Sequence, residues 1–456
     1  MRRFLRAIGW LLGILLVGLA VLFGINATDE PLSEEAQALL RMPSPPAPTE
    51  KNGYIDFLAL GAPANAPTYA TGVAQLQALN RGSYNVELSV VIDPRVRQCE
   101  RGHTVACAAA SPWVKEVIDS HAVFLARYRA MREKPEFRDL DEPPSPYGFT
   151  PAYQDLANGQ RLALLHAALE FNAGRRLEAV RELEGEFGFY RTMAAGSRSL
   201  LPKMMAFAML DGAALFAAEL ARGARTSDKE FWRRLQALLR APTAAELDVL
   251  PAMHRHRAQF ADWMRTRKYV RLSDADYENL KAAGFPLQRP WWDPVAPWLY
   301  RPNYSVNRFV ARTRIMLTIA EVPARQFRAA LPEYRARAAA LEPPRWKRML
   351  VSPAATFNYY FAEDDYADYV ARMYGFAGVQ ALVGLQVRLR AAGITKPADV
   401  ARALAGPLGS AYPDPFTGRP MEFDQEKMTI GFPCEVPYLT GVARWIEAQG
   451  KVALPL

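Results

Sequence analysis

The sequence predicts a mainly α-helical protein with an N-terminal transmembrane helix, an irregular α-helical bundle or solenoid, and a small C-terminal β-hairpin. Three observations support this fold class. Residues 7–25 contain no charged side chain, which is typical of a helix that crosses a bilayer. Apolar residues recur at helical spacing over residues 150–241. Apolar and polar side chains alternate in residues 421–432, which is the pattern of a short hairpin.

The uncharged run is the first element. As a helix, its 19 residues would span about 28 Å, close to the hydrocarbon thickness of a membrane. Three arginines precede the run, and Asp29 and Glu30 follow it, so the positive-inside rule places the N-terminus in the cytoplasm. We therefore expect a single-pass protein of the bacterial inner membrane with a periplasmic C-terminal domain. A cleaved signal peptide is the alternative, although Ile25 is unfavourable at the −3 position of the best cleavage site.

A proline-rich segment after this run is predicted to be a stalk. Four prolines within residues 43–48 favour extended polyproline II geometry, which makes a semi-rigid spacer. Residues 33–40 are amphipathic enough for one or two helical turns. Changes in composition then suggest six consecutive segments: a cytoplasmic tail and signal-anchor (1–28), the stalk (29–51), a mixed subdomain with a disulfide loop (52–145), a helical bundle (146–289), an aromatic loop with helices (290–410), and a C-terminal β-hairpin and tail (411–456).

Two cysteines lie close together in the mixed subdomain. Cys99 and Cys107 flank a short polar loop, and an exported chain meets an oxidising environment, so we predict a disulfide between them. Cys434 is left over, and sequence alone does not assign its pairing. Metal binding by Cys99, His103 and Cys107 is the alternative, because they lie four residues apart. Gly102 and the β-branched residues after His103 argue against the helix that this site would need, so we predict no metal site.

The segment after residue 150 is the clearest helical region. One stretch within it resembles the joint of a tetratricopeptide-type hairpin, with two helices linked by a small-residue turn. The matching positions are Ala168, Ala173, Gly174, Leu177, Ala179 and Leu183. The resemblance covers about 25 residues and implies a common protein-interaction architecture. No second copy follows at a 34-residue period, so we expect an irregular helical arrangement.

Residues 204–218 form a second apolar run. The run is short for a membrane span and carries Asp211 at its centre, which is costly in lipid. We therefore predict a helix buried inside the domain. Asp211 and Lys203 are candidate buried ions that would each need a partner elsewhere.

An aromatic cluster is the best candidate binding site. Its residues are Trp291, Trp292, Trp298 and Tyr300, with Asn303 just after them. Exposed, such side chains could stack on sugar rings or anchor a protein partner. The alternative is a loop packed against the helices by its own side chains, since Trp is usually largely buried.

Four residues are weak candidates for catalysis. Glu363 and Asp365 lie among aromatics and could flank a glycosidic bond, although the acidic first turn of a helix is the stronger explanation for them. His166 and Glu170 are four residues apart on a predicted helix, where the carboxylate could orient the imidazole. A helix-surface contact is the more common meaning of such a pair.

The charge distribution and the absence of nucleotide-binding motifs from the sequence restrict the classes of function that we expect. The net charge is +9, but the arginines are scattered and acids follow nearby, so we predict no nucleic-acid partner. Dinucleotide and Walker A glycine motifs are absent from the sequence, and we predict no cofactor. The sequence favours a non-enzymatic binding or scaffolding component of the bacterial cell envelope, whose partners are the inner membrane and an envelope protein or polymer. A periplasmic glycan or ester hydrolase with an acidic site is the alternative.

Overall fold

The structure is a computed structural model that describes residues 2–41, 44–81, 89–99, 103–141, 151–266, 293–342, 344–352, 366–433, 446–447 and 451–456. Its helices in chain order are α1 (Arg2–Asn26), α2 (Glu34–Leu40), α3 (Gly53–Leu58), α4 (Thr68–Asn80), α5 (Thr104–Ala110), α6 (Trp113–Ser120), α7 (Ala122–Arg132), α8 (Gln154–Asn172), α9 (Arg176–Gly196), α10 (Leu200–Gly223), α11 (Lys229–Leu238), α12 (Ala244–Leu247), α13 (Leu250–Thr266), α14 (Pro302–Leu317), α15 (Ala324–Ala340), α16 (Arg345–Leu350), α17 (Tyr366–Ala391), α18 (Pro397–Ala405) and α19 (Pro407–Ala411). The mainly helical fold class is confirmed. The finer description as a bundle or solenoid stays a prediction.

A small antiparallel sheet lies near the C-terminus. Its strands are β1 (Glu422–Asp424), β2 (Thr429–Pro433), β3 (Ile446–Glu447) and β4 (Lys451–Pro455), in the order β1-β2-β4-β3. The pair β1–β2 is the predicted hairpin, with Phe423 opposite Ile430. The sequence did not predict β4, which places Leu454 on the other side of Ile430. The added strand explains how a short hairpin persists, because two strands alone are marginal in water.

The described chain divides into two compact units. Unit 1 contains residues 1–43, 254–319 and 331–365, and unit 2 contains residues 44–253, 320–330 and 366–456. Each unit consists of three stretches that are far apart in the sequence. The six predicted segments, in contrast, are each continuous in sequence. Composition changes along a chain do not reveal such interleaving, because it is produced by contacts between segments far apart in sequence.

Unit 2 is built around α8, α9, α10 and α17. The helices α8 and α9 form the hairpin that the sequence predicted, and Gly174 between them has φ = +82°. The amide of Gly174 donates to the carbonyl of Phe171 at 3.0 Å, and the amide of Arg175 donates to that of Glu170 at 2.9 Å. These bonds satisfy carbonyls at the end of α8, and glycine allows the left-handed backbone that they need.

Two described helices are long and apolar enough to cross a membrane: Arg3–Asn26 and Leu200–Gly223. In the most apolar 18-residue stretch of the first helix, 0% of the residues are buried. In the corresponding stretch of the second helix, which is α10, 72% are buried. Since α10 packs against α9 and α17, the prediction of a buried helix there is confirmed. Most side chains of α1 are exposed in the described part of the chain, as Trp10 at 75% exposure illustrates.

The two residues of α10 that were predicted as buried ions, Lys203 and Asp211, do not pair with each other. The Lys203 ammonium donates to the carbonyl oxygen of Ala194 at 2.6 Å, and burial lowers the pKa of this lysine to about 8. Asp211 is buried, its Oδ1 has no hydrogen-bond partner among the described residues, and burial raises its pKa well above the usual range. Burial therefore favours the protonated form of Asp211, and the prediction that this side chain is a buried ion with a partner elsewhere stays a prediction.

The beginning of the predicted stalk is docked within unit 1. The apolar side of α2 packs against α13 and α14 in a cluster that buries Ala36, Phe260 and Phe309. Arg257 of α13 donates to the hydroxyl of Thr313 at 2.8 Å and lies 3.4 Å from the carboxylate of Glu35. The helix expected within residues 33–40 is present, but it is part of a packed core and not a free spacer.

Close packing between α7 and α8 depends on a glycine. A Cβ atom at Gly159 would lie 2.3 Å from Cδ2 of the buried Tyr128 ring. We expect Gly159→Ala to lower the free energy of unfolding by about 1–3 kcal/mol, because the ring has no space to move. Chemical denaturation of the full chain measures this change.

Gly188 on α9 is the matched control. A Cβ atom there would meet nothing within 4 Å, and the residue is exposed. Gly188→Ala should raise the free energy of unfolding by about 0.5–1 kcal/mol, since alanine favours the helix. Equal effects of the two substitutions would contradict the packing described for α7 and α8.

Candidate ligand cavity

A cavity of about 260 Å³ lies inside unit 2. Its walls are formed by α8, α10, the beginning of α5 and a 3-10 helical turn at Pro94–Cys99. The lining consists of Val96, Cys99, Thr104, Gln154, Ala157, Gln160, Arg161, Leu164, Leu165, Met205, Ala208, Met209, Gly212, Leu215, Phe216 and Glu219. Ligand sites in proteins are typically apolar cavities with a few polar groups that orient the ligand, and this lining has that character.

One face of α10 supplies the larger apolar wall. Met205, Ala208, Met209 and Gly212 follow one another at helical spacing and are partly exposed, although α10 is otherwise mostly buried. This stripe is incompletely covered because it borders the cavity. Methionine side chains are flexible and polarisable, so such a wall can adapt its shape to an apolar guest.

The polar part of the lining is held by hydrogen bonds. The side-chain amide of Gln160 donates to the carboxylate of Glu186 at 3.1 Å and to the carbonyl of Met209 at 2.9 Å. Glu219 accepts a 3.0 Å bond from the amide of Val105 at the start of α5. These contacts fix the polar groups in place, so they can orient a ligand without first becoming ordered.

A buried polar network lies behind Gln160. The hydroxyl of Tyr128 donates to Glu186 at 2.9 Å and lies 2.9 Å from the hydroxyl of Tyr190. Arg132 forms an ion pair with the same carboxylate. Burial raises the pKa of Glu186, and Arg132 counteracts this shift. Perturbed titratable groups beside a cavity are typical of functional sites, although structural ion pairs also produce them.

The predicted disulfide is confirmed and closes one wall of the cavity. Cys99 and Cys107 are bonded, with 5.3 Å between their Cα atoms, and Cys99 contacts the cavity. We expected the β-branched Thr104 and Val105 to oppose a helix, and this was wrong, because α5 begins at Thr104, within the loop that the disulfide closes. Gly102 lies outside the described residues. Among the described residues, no group of three or more His, Cys, Asp or Glu is placed to hold a metal ion.

The predicted pair His166 and Glu170 lies on α8 but outside the cavity lining. Each residue has a different partner: Glu170 accepts a 2.8 Å bond from Arg175, and His166 Nδ1 lies 3.8 Å from Glu182. Burial and the nearby Arg129 lower the pKa of His166, so its imidazole is neutral at pH 7. The hydrogen bond from Arg175 lowers the pKa of Glu170. Their role in catalysis stays a prediction.

The aromatic candidates are placed in different surroundings. Trp298 is 65% exposed, whereas Tyr300 is buried and donates from its hydroxyl to the carbonyl of Met264 at 2.6 Å. The side-chain amide of Asn303 donates to the carbonyl of Glu30 at 2.8 Å. Four further candidates lie outside the described residues: Trp291, Trp292, Glu363 and Asp365.

Sequence reasoning did not find the cavity. Its residues are ordinary apolar positions of amphipathic or buried helices, and the pattern of a helix does not show where its neighbours leave space. The available signal was Glu219, a charged residue that directly follows the apolar run of residues 204–218. Buried polar groups of this kind need partners, and those partners were not predictable from the sequence.

No protein-family model matches the chain, and searches among curated proteins and among solved structures found no match. The cavity, the buried groups around it and the apolar helix α1 therefore carry the functional argument.

A buried acid on α8 allows a test of the structure near the cavity. Asp155 accepts 3.0 Å bonds from the hydroxyl of Ser89 and the amide of Val90, and burial raises its pKa to about 6 from 3.8. The folded protein therefore prefers the protonated acid more than the unfolded chain does. This preference favours folding below pH 4 and is lost as the pH rises through 6.

Asp155→Asn removes this pH dependence, because asparagine does not ionise. Relative to the wild type, we expect the variant to gain up to about 3 kcal/mol in unfolding free energy between pH 4 and pH 7. Denaturant titrations of both proteins across this range measure the gain. A difference between the two proteins that does not change with pH would contradict the buried placement of Asp155.

Proposed function

We propose that this is a membrane-anchored binding protein whose helical unit 2 holds a small, mostly apolar ligand in the cavity between α8 and α10. The observation that carries the proposal is the cavity itself, with its methionine-containing wall and its fixed polar groups. A ligand with an apolar body and one polar group would satisfy both parts of the lining.

The anchor in this proposal is α1. Its apolar side chains are exposed over a length that could cross a bilayer. An apolar surface of this size is typically covered by lipid or by another protein. The arginines before it and the acids after it favour a cytoplasmic N-terminus and a periplasmic remainder in a bacterial inner membrane. The Cys99–Cys107 disulfide supports this location, because such bonds persist in oxidising compartments.

The size of the cavity favours a small ligand over a polymer chain. A volume of about 260 Å³ lies at the lower end of small-molecule sites. Binding of an envelope protein or polymer would need a different surface, and it remains a separate prediction. The hydrolase alternative depends on Glu363 and Asp365, which lie outside the described residues.

Filling the cavity tests the proposal. Ala208 lines the cavity, and phenylalanine at this position would occupy part of it. The probe is 1-octanol, which has an apolar chain and one hydroxyl, added to the full chain in lipid nanodiscs. Methyl resonances of labelled Met205 and Met209 should shift in a saturable way in the wild type. Ala208→Phe should weaken this binding by at least about tenfold, since the guest loses its space.

Met204 supplies two controls. It is partly exposed on the same helix but does not line the cavity. Its own methyl resonance should not move with the other two, and Met204→Phe should leave octanol binding unchanged. Equal shifts at all three methionines, or unaltered binding to Ala208→Phe, would refute a ligand site in this cavity.

A further inference from the structure

The C-terminal end of α1 is fastened to the rest of unit 1 by Asn26, the first polar residue after the apolar run. The side-chain nitrogen of Asn26 donates to the carbonyl of Leu350 at 2.8 Å, and its oxygen accepts a 2.7 Å bond from the amide of Ser352. The nitrogen and the oxygen of the Asn26 side-chain amide thus both bind the backbone at the end of α16. Asn26 itself is buried, so water does not compete for these bonds.

A second contact joins the same end of α1 to the turn before α14. The ring of Phe23 meets the ring of Trp298 edge to face, with 6.5 Å between the ring centres. Phe23 precedes Asn26 by three residues, which is about 4.5 Å along the helix axis. Trp298 therefore lies at the height where the apolar run of α1 ends.

A third contact joins the segment after α1 to α14. The carboxylate of Asp29 accepts bonds from the amides of Asn303 at 2.7 Å and Tyr304 at 3.1 Å. These amides belong to the first turn of α14, where unpaired donors and the helix dipole favour an anion. The chain leaving α1 is thus held at several points, which fix the position of α1 within unit 1.

Large apolar side chains near this end of α1 are exposed. Trp298 and Trp346 are 65% and 64% exposed, and Leu350 is also exposed at the end of α16. Lys347 is exposed beside Trp346. We call these four residues the base surface. Two tryptophans with this exposure in the part of unit 1 outside α1 are unusual, because Trp is normally largely buried.

We propose that the base surface rests in the lipid headgroup region of the membrane that α1 crosses. This inference depends on the proposed membrane insertion of α1. Tryptophan is enriched at the boundary between hydrocarbon and water, since its ring is apolar and its N–H is polar. Lysine suits the same depth, because its stem contacts apolar groups while its charge stays among headgroups. Unit 1 is then a membrane-contacting body and is not displayed at a distance from the bilayer.

Quenching by brominated lipids tests this proposal on the full chain in nanodiscs. Bromine on the upper part of the acyl chains quenches only tryptophans that contact the membrane. The double variant Trp298→Phe/Trp346→Phe should lose at least about a third of the lipid-dependent quenching of the wild type, since two contacting tryptophans are removed. Both side chains are exposed, so phenylalanine should be tolerated.

Two further variants separate the possible outcomes. Trp10→Phe removes a tryptophan of α1 and should also reduce quenching, which reports insertion of α1. Trp232→Phe removes a tryptophan buried in unit 2 and should leave the quenched intensity unchanged. If Trp10→Phe reduces quenching but the double variant does not, α1 is inserted and the base surface faces water or a protein, which overturns the inference alone. If Trp10→Phe has no effect, both the anchor and the inference are wrong.

Discussion

Unit 1 depends on the capping of α14 by a carboxylate that lies 274 residues earlier in the chain. Asp29 satisfies donors that α14 cannot satisfy itself, and the favourable charge at the helix N-terminus adds to the contact. Once Asp29 is in place, Asn303 and Asn307 bind the following backbone, and α2 packs on α13 and α14. The proline-rich composition near this point suggests a spacer, but these contacts make residues 29–40, about the first half of the predicted stalk, part of a folded body.

In unit 2, several ionisable side chains are buried among apolar residues. Asp155, Glu186 and Asp211 are all buried acids, and burial raises the pKa of each. Arg132, Tyr128 and Gln160 compensate the charge of Glu186, whereas Oδ1 of Asp211 has no hydrogen-bond partner among the described residues. Gln160 connects the compensated group to the wall of the cavity, so the polar face of the proposed ligand site is rigid while its methionine face can adapt.

The parts of this fold that are local in sequence were predictable. The apolar run of α1, the hairpin of α8 and α9 around Gly174, the buried α10 and the short Cys99–Cys107 loop all follow from spacing and composition. The docking of Asp29 was not predictable, because nothing near residue 303 indicates a partner at the other end of the chain. The helix α5 was missed since its β-branched start is stabilised by packing against α8, and the cavity was missed because empty space has no sequence signature.

Hydrogen exchange of the full chain in nanodiscs tests most directly whether the segment after α1 is docked. The account predicts that the amides of α2, Asn303 and Tyr304 exchange at least about a hundredfold more slowly than in an unstructured chain. It also predicts that Asp29→Ala removes most of this protection at Asn303 and Tyr304, because their acceptor is lost. Exchange of residues 29–41 at the rate of an unstructured chain in the wild-type protein would show a free stalk and contradict the docked arrangement.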